Sequence, residues 1–414
     1  MRIRNLEKEN PKEFTPIKCE MWEETFYVKT ITPIYAGGVK AGYPDIEMPI
    51  RATSIRGQLR YWWRFLNCKQ QIENSLNREE FFSQERAIWG GMSEDDQDYS
   101  SKVRVSIIAK KKCTLASENK NYPAYAIFPI RDSDNNLLDY KRLIKEGYKF
   151  ELIVKAPREF QKSILQTIRW WASFGGIGAR TRRGLGSVEV LDGSKKLLKV
   201  EEKEAEEFNC KLIIKRAEND GIASWRSAIF KLADFRQGKN IGRNEGSDRG
   251  NLRKLGRSYW PEPDSIRELT GEWIERHKPE HAAAVSFPRA AFGLPIIFEI
   301  RERGEPPKTE LKPVGFDRMA SPLFLKAMST DIGKTSPVLM CLPLDHLETL
   351  DLELKYKTDR EQHVIGVFER GSEGDWWPKD PQNARNKASY LNSPMQKNDG
   401  HDAISAFINY FKKG

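Results

Sequence analysis

Long apolar runs are missing from this chain: no stretch free of Asp, Glu, Lys and Arg exceeds ten residues. A helix that crosses a bilayer needs about 20 predominantly apolar residues, so a membrane-spanning helix is excluded. Residues 1–10 are charged and have no apolar core, so no secretory leader is expected and a cytoplasmic location is. Cysteine is sparse. Cys19, Cys68, Cys113, Cys210 and Cys341 form no CxxC pair, which argues against a disulfide framework and against a cysteine-rich zinc site. Histidine is equally thin at five residues, and His277 and His281 have Pro279 between them, which breaks the helix needed to aim both at one metal. They are expected as surface histidines, and neither a metal nor a cofactor is expected. Apolar material is not lacking: it makes up 39% of the 414 residues, with 11 Trp and 20 Phe, enough for a sizeable core and for two or three domains.

Negative charge is missing from particular places. Residues 48–72 contain Arg51, Arg56, Arg60, Arg64 and Lys69 with no acid, and residues 161–188 contain Lys162, Arg169, Arg180, Arg182 and Arg183 with none either. Residues 235–260 carry seven basic side chains against Glu245 and Asp248. Each block is +5 in a chain that is +10 overall, so the remainder is net negative. Charge concentrated in this way suits a polyanion-binding surface. Ordinary solvated faces usually carry acids interspersed with bases.

The order of elements gives the fold class. Residues 25–36, rich in β-branched and aromatic side chains, read as a strand ending at Gly37-Gly38. Ser54 can cap the helix that follows, with Ile55, Leu59, Trp62 and Leu66 as its apolar stripe and Arg56, Arg60 and Arg64 along the adjoining face. Strands are expected at 102–109 and 149–157, a helix at 158–174 and a last strand at 187–191. This β-α-β-β-α-β order is ferredoxin-like, the arrangement RNA-recognition domains share. The stretches near 70–100 and 113–147 are insertions. Residues 192–210 are strongly charged and suit an inter-domain crossing. Beyond it come a helix near 224, a Gly-rich basic loop at 238–257, strands near 291–300, 320–327, 337–344 and 350–356, and a final helix at 403–412. The expectation is an α+β chain of two ferredoxin-like (RRM-like) domains with insertions, at 1–200 and 211–414.

Most motif chemistry fails on spacing. The glycines at 176 and 178 lack the third glycine of a dinucleotide fingerprint, and they follow a helix and precede a strand, the reverse of its context. Gly333-Lys334-Thr335 has Met328 where a phosphate-binding loop needs glycine. Asp45 sits in a loop from which it could transfer a proton, although loop carboxylates more often form turns. Trp62, Trp63, Trp170 and Trp171 are at packing positions. The segment GGIGARTRRGLG makes better sense as a phosphodiester cradle. Gly175, Gly176, Gly178, Gly184 and Gly186 let main-chain N–H groups approach phosphate oxygens, and Arg180, Arg182 and Arg183 add fork-shaped donors.

Residues 49–64 (PIRATSIRGQLRYWWR) together with that glycine segment resemble the RAMP superfamily of CRISPR-associated proteins. More narrowly, with GRSYWPE at 256–262, FGLP at 292–295 and RMASPL at 318–323, the chain resembles the family of first subunits of the type III-B Cmr effector complex. The resemblance implies two ferredoxin-like domains and assembly with other Cmr subunits. It implies a non-catalytic role holding the 3′ part of the guide (CRISPR) RNA and receiving target single-stranded RNA in antiviral defence. Its RNA-contacting regions fall on Arg51, Ser54, Arg56, Arg60 and Arg64, and on Gly175, Gly176, Gly178, Arg180, Arg182, Arg183, Gly184 and Gly186. In this superfamily the slicing subunit uses a loop aspartate, and Asp45 lies in the equivalent loop, which keeps a metal-independent endoribonuclease as the alternative.

Overall fold

The computed structural model describes residues 20–413, apart from 74–76, 93–97, 120, 131–137, 250–251, 255, 282–284, 301, 358–361, 371–375 and 392. Residues 1–10, Cys19 and parts of both insertions and of the basic loop lie outside the described residues. Among those described, no helix is long and apolar enough to cross a membrane.

The first half is built on β1 (Met21–Thr30), α1 (Ala52–Glu73), α2 (Arg78–Trp89), β2 (Arg104–Ile108), the short α3 (Ala124–Ile127), β3 (Lys149–Pro157), α4 (Gln161–Phe174) and β4 (Val188–Leu191). The four strands form one antiparallel sheet in the order β2-β3-β1-β4. This is the connectivity expected from the pattern of residues, with α1 joining the first two strands and α4 the last two. Alternation decides the faces. Phe26 and Val28 of β1 and Phe150, Leu152 and Val154 of β3 are buried on one side, and Tyr27, Lys29 and Glu151 point to the other. Onto the buried side pack Ile55, Leu59, Trp62 and Leu66 of α1 and Ile164, Ile168 and Trp171 of α4, the stripe that a 3.6-residue period places on one face. Trp62, Trp63, Trp170 and Trp171 are all buried.

The second half contributes α5 (Glu202–Glu207), β5 (Lys211–Ile214), α6 (Gly221–Gln237), α7 (Glu262–Thr270), β6 (Ile296–Phe298), β7 (Thr309–Pro313), β8 (Leu323–Asp331), β9 (Lys334–Cys341), β10 (Leu352–Lys357), β11 (Gln362–Phe368) and α8 (Ala403–Lys412). Here the architecture departs from the expected second copy. A sheet of three strands, β8-β9-β5, has no fourth strand among the described residues, and β6-β7-β10-β11 form a separate antiparallel meander. The stretch 291–300 is mostly not a strand. Pro288–Phe292 is a 3₁₀ turn, Gly293 follows at φ 115°, Leu294 makes an isolated bridge to Met319, and the strand itself starts at Ile296, after a proline that has no N–H to give. In the basic loop, Ser247–Arg249 pairs with Leu252–Lys254 as a short ribbon.

The three-stranded sheet is buried on both faces, as a nearly continuous apolar run implies. Phe324, Met328, Val338 and Met340 join the core of α1 and α4, with the Phe324 ring 5.6 Å from Trp62. Leu325, Ala327 and Leu339 face Trp225, Ile229 and Leu232 of α6. The result is a stack of sheet, helices, sheet and helices in which α1 and α4 serve both halves. The charged crossing is packed as well: Val200 and Ala205 are buried, and Glu204 accepts from Arg169 Nη2 at 2.6 Å and Trp170 Nε1 at 2.9 Å.

One contact pins the halves together. Gly184, at φ 81°, lies where an added Cβ would meet Trp225 Cδ1 at 2.4 Å and Leu325 O at 2.9 Å. Gly184→Ala is expected to cost about 2–3 kcal/mol by strain and overpacking. Gly37→Ala, whose Cβ would meet nothing within 4 Å, should stay within about 0.5 kcal/mol. Urea unfolding followed by tryptophan fluorescence measures both.

Candidate nucleic-acid interface

The two acid-free stretches converge. Ala179 N donates to Tyr35 O at 2.7 Å, and Tyr35 and Gly178 form a parallel bridge beside the start of α1. Farther along, Arg182 Nη2 donates to Tyr61 Oη at 3.1 Å. A cavity of about 330 Å³ lies between these segments, walled by Arg51, Ser54, Ile55 and Gln58 on one side and by residues 176–179 on the other. It continues into a second space of about 250 Å³ lined by Gln58, Tyr61, Trp62, Gly175, Thr181 and Arg182.

Main-chain donors of this groove come from the start of α1, because in the glycine segment Gly175 N, Gly184 N and Gly186 N already donate to Trp171 O, Thr181 O and Pro33 O. Helix α1 begins at Ala52 with no acid in its first turn, so its unpaired N–H groups present the positive end of the helix. Ser54 lies inside that turn and does not cap it; Arg51 is the flanking residue, its carbonyl accepting from Ser54 N at 3.0 Å. The glycine segment turns tightly because five of its residues adopt positive φ: Gly176, Gly178, Gly184 and Gly186, with φ between 65° and 155°, and Arg180 at 61°. A Cβ at Gly178 would stand 2.3 Å from Tyr35 O, so only glycine lets the wall come this close. Trp62 borders the inner part of the groove, and its Nε1 is buried with no hydrogen-bond partner among the described residues.

The expected arginines divide into three groups. Arg51 and Arg182 border the groove. Arg60 and Arg64 do not: both pair with Glu85 of α2, Arg64 Nε at 2.6 Å, and Glu85 is buried between them. Arg56 belongs to their row and makes no ion pair among the described residues. Arg180 and Arg183 brace the fold, Arg180 Nε donating to Ala126 O at 2.8 Å and Arg183 Nη1 to Leu323 O at 3.0 Å. Burial, with repulsion from Arg236, pushes the Arg183 guanidinium down to about 10. Arg182 also spans both roles through Nη1, which donates to Ser321 O at 2.5 Å. The helix face that meets the groove is Arg51, Ser54, Gln58 and Tyr61, at i, i+3, i+7 and i+10. That spacing was present in the sequence, but only Arg51 of its four members is charged.

Asp45 is engaged locally, its Oδ1 accepting from Glu47 N and Met48 N at 3.0 Å each, the pattern of a carboxylate that forms a turn. The histidines are not free on the surface: His281 Nδ1 lies 2.7 Å from Asp264 Oδ2, and His277 pairs with Glu305. His277, Glu302 and Glu305 bring ligand atoms within 4.8 Å of one another, but Arg276 and Arg267 already neutralise the two carboxylates, so the group is an ion-pair network.

With this geometry in place, comparison with known proteins identifies the class. Residues 27–189 match the family model of the RAMP superfamily, the resemblance that the motifs of this part of the chain carry. The particular relatives are Cmr subunits of Pyrococcus furiosus. The chain is 27% identical over 188 residues to CRISPR system Cmr subunit Cmr1-1, covering 43% of this chain, and 26% identical over 187 residues to Cmr1-2, covering 41% of this chain and 96% of that one. It spans about half the length of Cmr1-1 (50%). A solved structure of Cmr1 from the same organism, apo form, aligns over 83% of this chain and 92% of its own at 18% identity and a TM-score of 0.36.

Lys326 supports the groove from behind. It is fully buried on β8, donates from Nζ to Gly175 O at 2.6 Å, and burial pushes its ammonium down to about 7. Because the folded pKa lies below the unfolded value of about 10.4, the unfolded chain holds more protons between these limits. Stability relative to Lys326→Met should therefore climb as pH rises from about 7 to about 10 and be flat below 7. Urea midpoints of both proteins across that range are the measurement; parallel curves would contradict it.

Proposed function

We propose that this chain is an RNA-binding, non-catalytic subunit of a type III-B CRISPR (Cmr) ribonucleoprotein of the cytoplasm. It holds the 3′ part of the guide RNA and receives target single-stranded RNA beside the other Cmr subunits, in antiviral defence. Both halves are read as ferredoxin-like units, the second without a fourth strand among the described residues. The observation that carries the reading is the meeting of the helix N-terminus of α1 with the glycine segment, which builds a basic groove floored by main-chain donors. Guide–target pairing reads the sequence, so the protein needs to grip only backbone and shape. The N–H groups at the start of α1, Arg51 and Arg182 do that without base preference. The relatives' printed names support the assembly, and the turn hydrogen bonds of Asp45 support a role without catalysis.

If about five phosphates are held, log affinity for a single-stranded oligonucleotide should fall with log salt at a slope of about −3.5. Arg51→Glu combined with Gln58→Glu should weaken binding of unrelated sequences at least tenfold at unchanged thermal midpoint. Filter binding tests both, and a slope near zero rejects the groove. The nuclease alternative is tested by incubating the purified chain with labelled RNA: the account expects no cut, whereas cleavage that disappears in Asp45→Asn would establish it.

A further inference from the structure

A second basic cavity, about 700 Å³, opens on the face of the first sheet turned away from α1 and α4. Its volume is in the range of small-molecule sites, ~300–1,000 Å³. Tyr27 of β1 and Leu191 of β4 form part of its floor, and Ile108 and Ile332, both exposed apolar side chains, stand at its sides. Its rim is lysine. Lys110 pairs with Glu151 at 2.8 Å and Lys112 with Glu47 at 2.7 Å, but Lys29, Lys111, Lys145 and Lys149 make no ion pair among the described residues. The acids that line the cavity already have partners: Glu151 has Lys110, Glu146 accepts from Tyr122, and Glu189 accepts from Ser329 Oγ at 3.0 Å and Gly333 N at 2.9 Å. Six lysines against three glutamates line the cavity, which leaves an excess of positive charge around an apolar, aromatic floor.

We propose that this cavity seats a nucleotide of single-stranded RNA, its base against the isoleucines and the side of the Tyr27 ring not covered by Lys195, and its phosphates on Lys29, Lys111, Lys145 and Lys149. An aromatic ring on the open face of a four-stranded sheet is a stacking platform that tolerates any base, and flanking cations grip the backbone. The site lies across the sheet from the groove of α1, so a strand occupying both must pass around the sheet edge. The choice of ligand rests on the RNA-binding reading above; the location does not.

The test is binding of a fluorescein-labelled uridine 15-mer to the full chain by anisotropy, with acylation footprinting of lysines. Lys111→Glu with Lys149→Glu, both at exposed positions, should weaken binding at least fivefold and reduce the magnitude of the salt slope by about 1.4, two phosphates' worth. The oligonucleotide should protect Lys29, Lys111, Lys145 and Lys149 from acylation. Unchanged affinity and slope with no protection overturns the cavity, as does failure of the wild-type chain to bind. Protection by a poly-glutamate peptide but not by the oligonucleotide also overturns it, in favour of an acidic protein partner. Loss of binding in Arg51→Glu/Gln58→Glu but not in the lysine variant leaves the groove standing and this site refuted; the opposite pattern refutes the groove alone.

Discussion

Between residues 175 and 186 the main chain runs in direct contact with other parts of the molecule at places where a Cβ would not fit. Gly175 lies against Trp171 and Trp62, Gly178 against Tyr35 O, Gly184 against Trp225, and Gly186 against Ile177 O. Each contact ties the segment to a different element: the helices of the first half, the strand end before the groove, α6 of the second half, and the turn itself. Fixing a main chain in left-handed geometry costs ordering entropy, which the surrounding burial must offset. With it fixed, the groove beside α1 is preorganised, its wall set before any ligand arrives.

The same contacts explain why α1 and α4 can be shared between two sheets. Phe324, Met328 and Met340 share one core with Trp62, and Gly175 lies against the Trp62 ring where a Cβ would stand 2.9 Å from Nε1. Lys326, buried among these residues, takes its one partner from the carbonyl of Gly175. The acceptors of Arg182 and Arg183, Ser321 O and Leu323 O, belong to the RMASPL motif, so the signatures of the two halves are joined by hydrogen bonds.

Most of the first half was legible, and so was the last helix of the second. Strand 149–157 and helix 403–412 fall where their patterns put them, and the stripe Ile55, Leu59, Trp62, Leu66 packs as its spacing implies. Short elements were not: Lys211–Ile214 is four residues beside a charged stretch, and Thr309–Pro313 holds a proline and three polar or charged residues. The charge argument was half right. A stretch without acids in sequence is not without acids in space, because Glu85, on a helix 21 residues past Arg64, reaches Arg60 and Arg64, and Glu204 reaches Arg169. What survives is a smaller set of cations supplemented by main-chain donors, and donors of that kind leave no residue-type signature. The side of α1 that meets the groove was obscured for a related reason: Gln58 and Tyr61 carry no charge, whereas the more conspicuous arginine row turns to α2.

The central claim, that residues 51–62 and 175–182 grip one strand together, is tested most directly by photocrosslinking. An RNA with a single 4-thiouridine, moved one position at a time, would be irradiated with the chain and the modified peptides mapped. The account predicts that some positions crosslink to both segments. Crosslinks confined to one segment at every position, or absent from both, would contradict it.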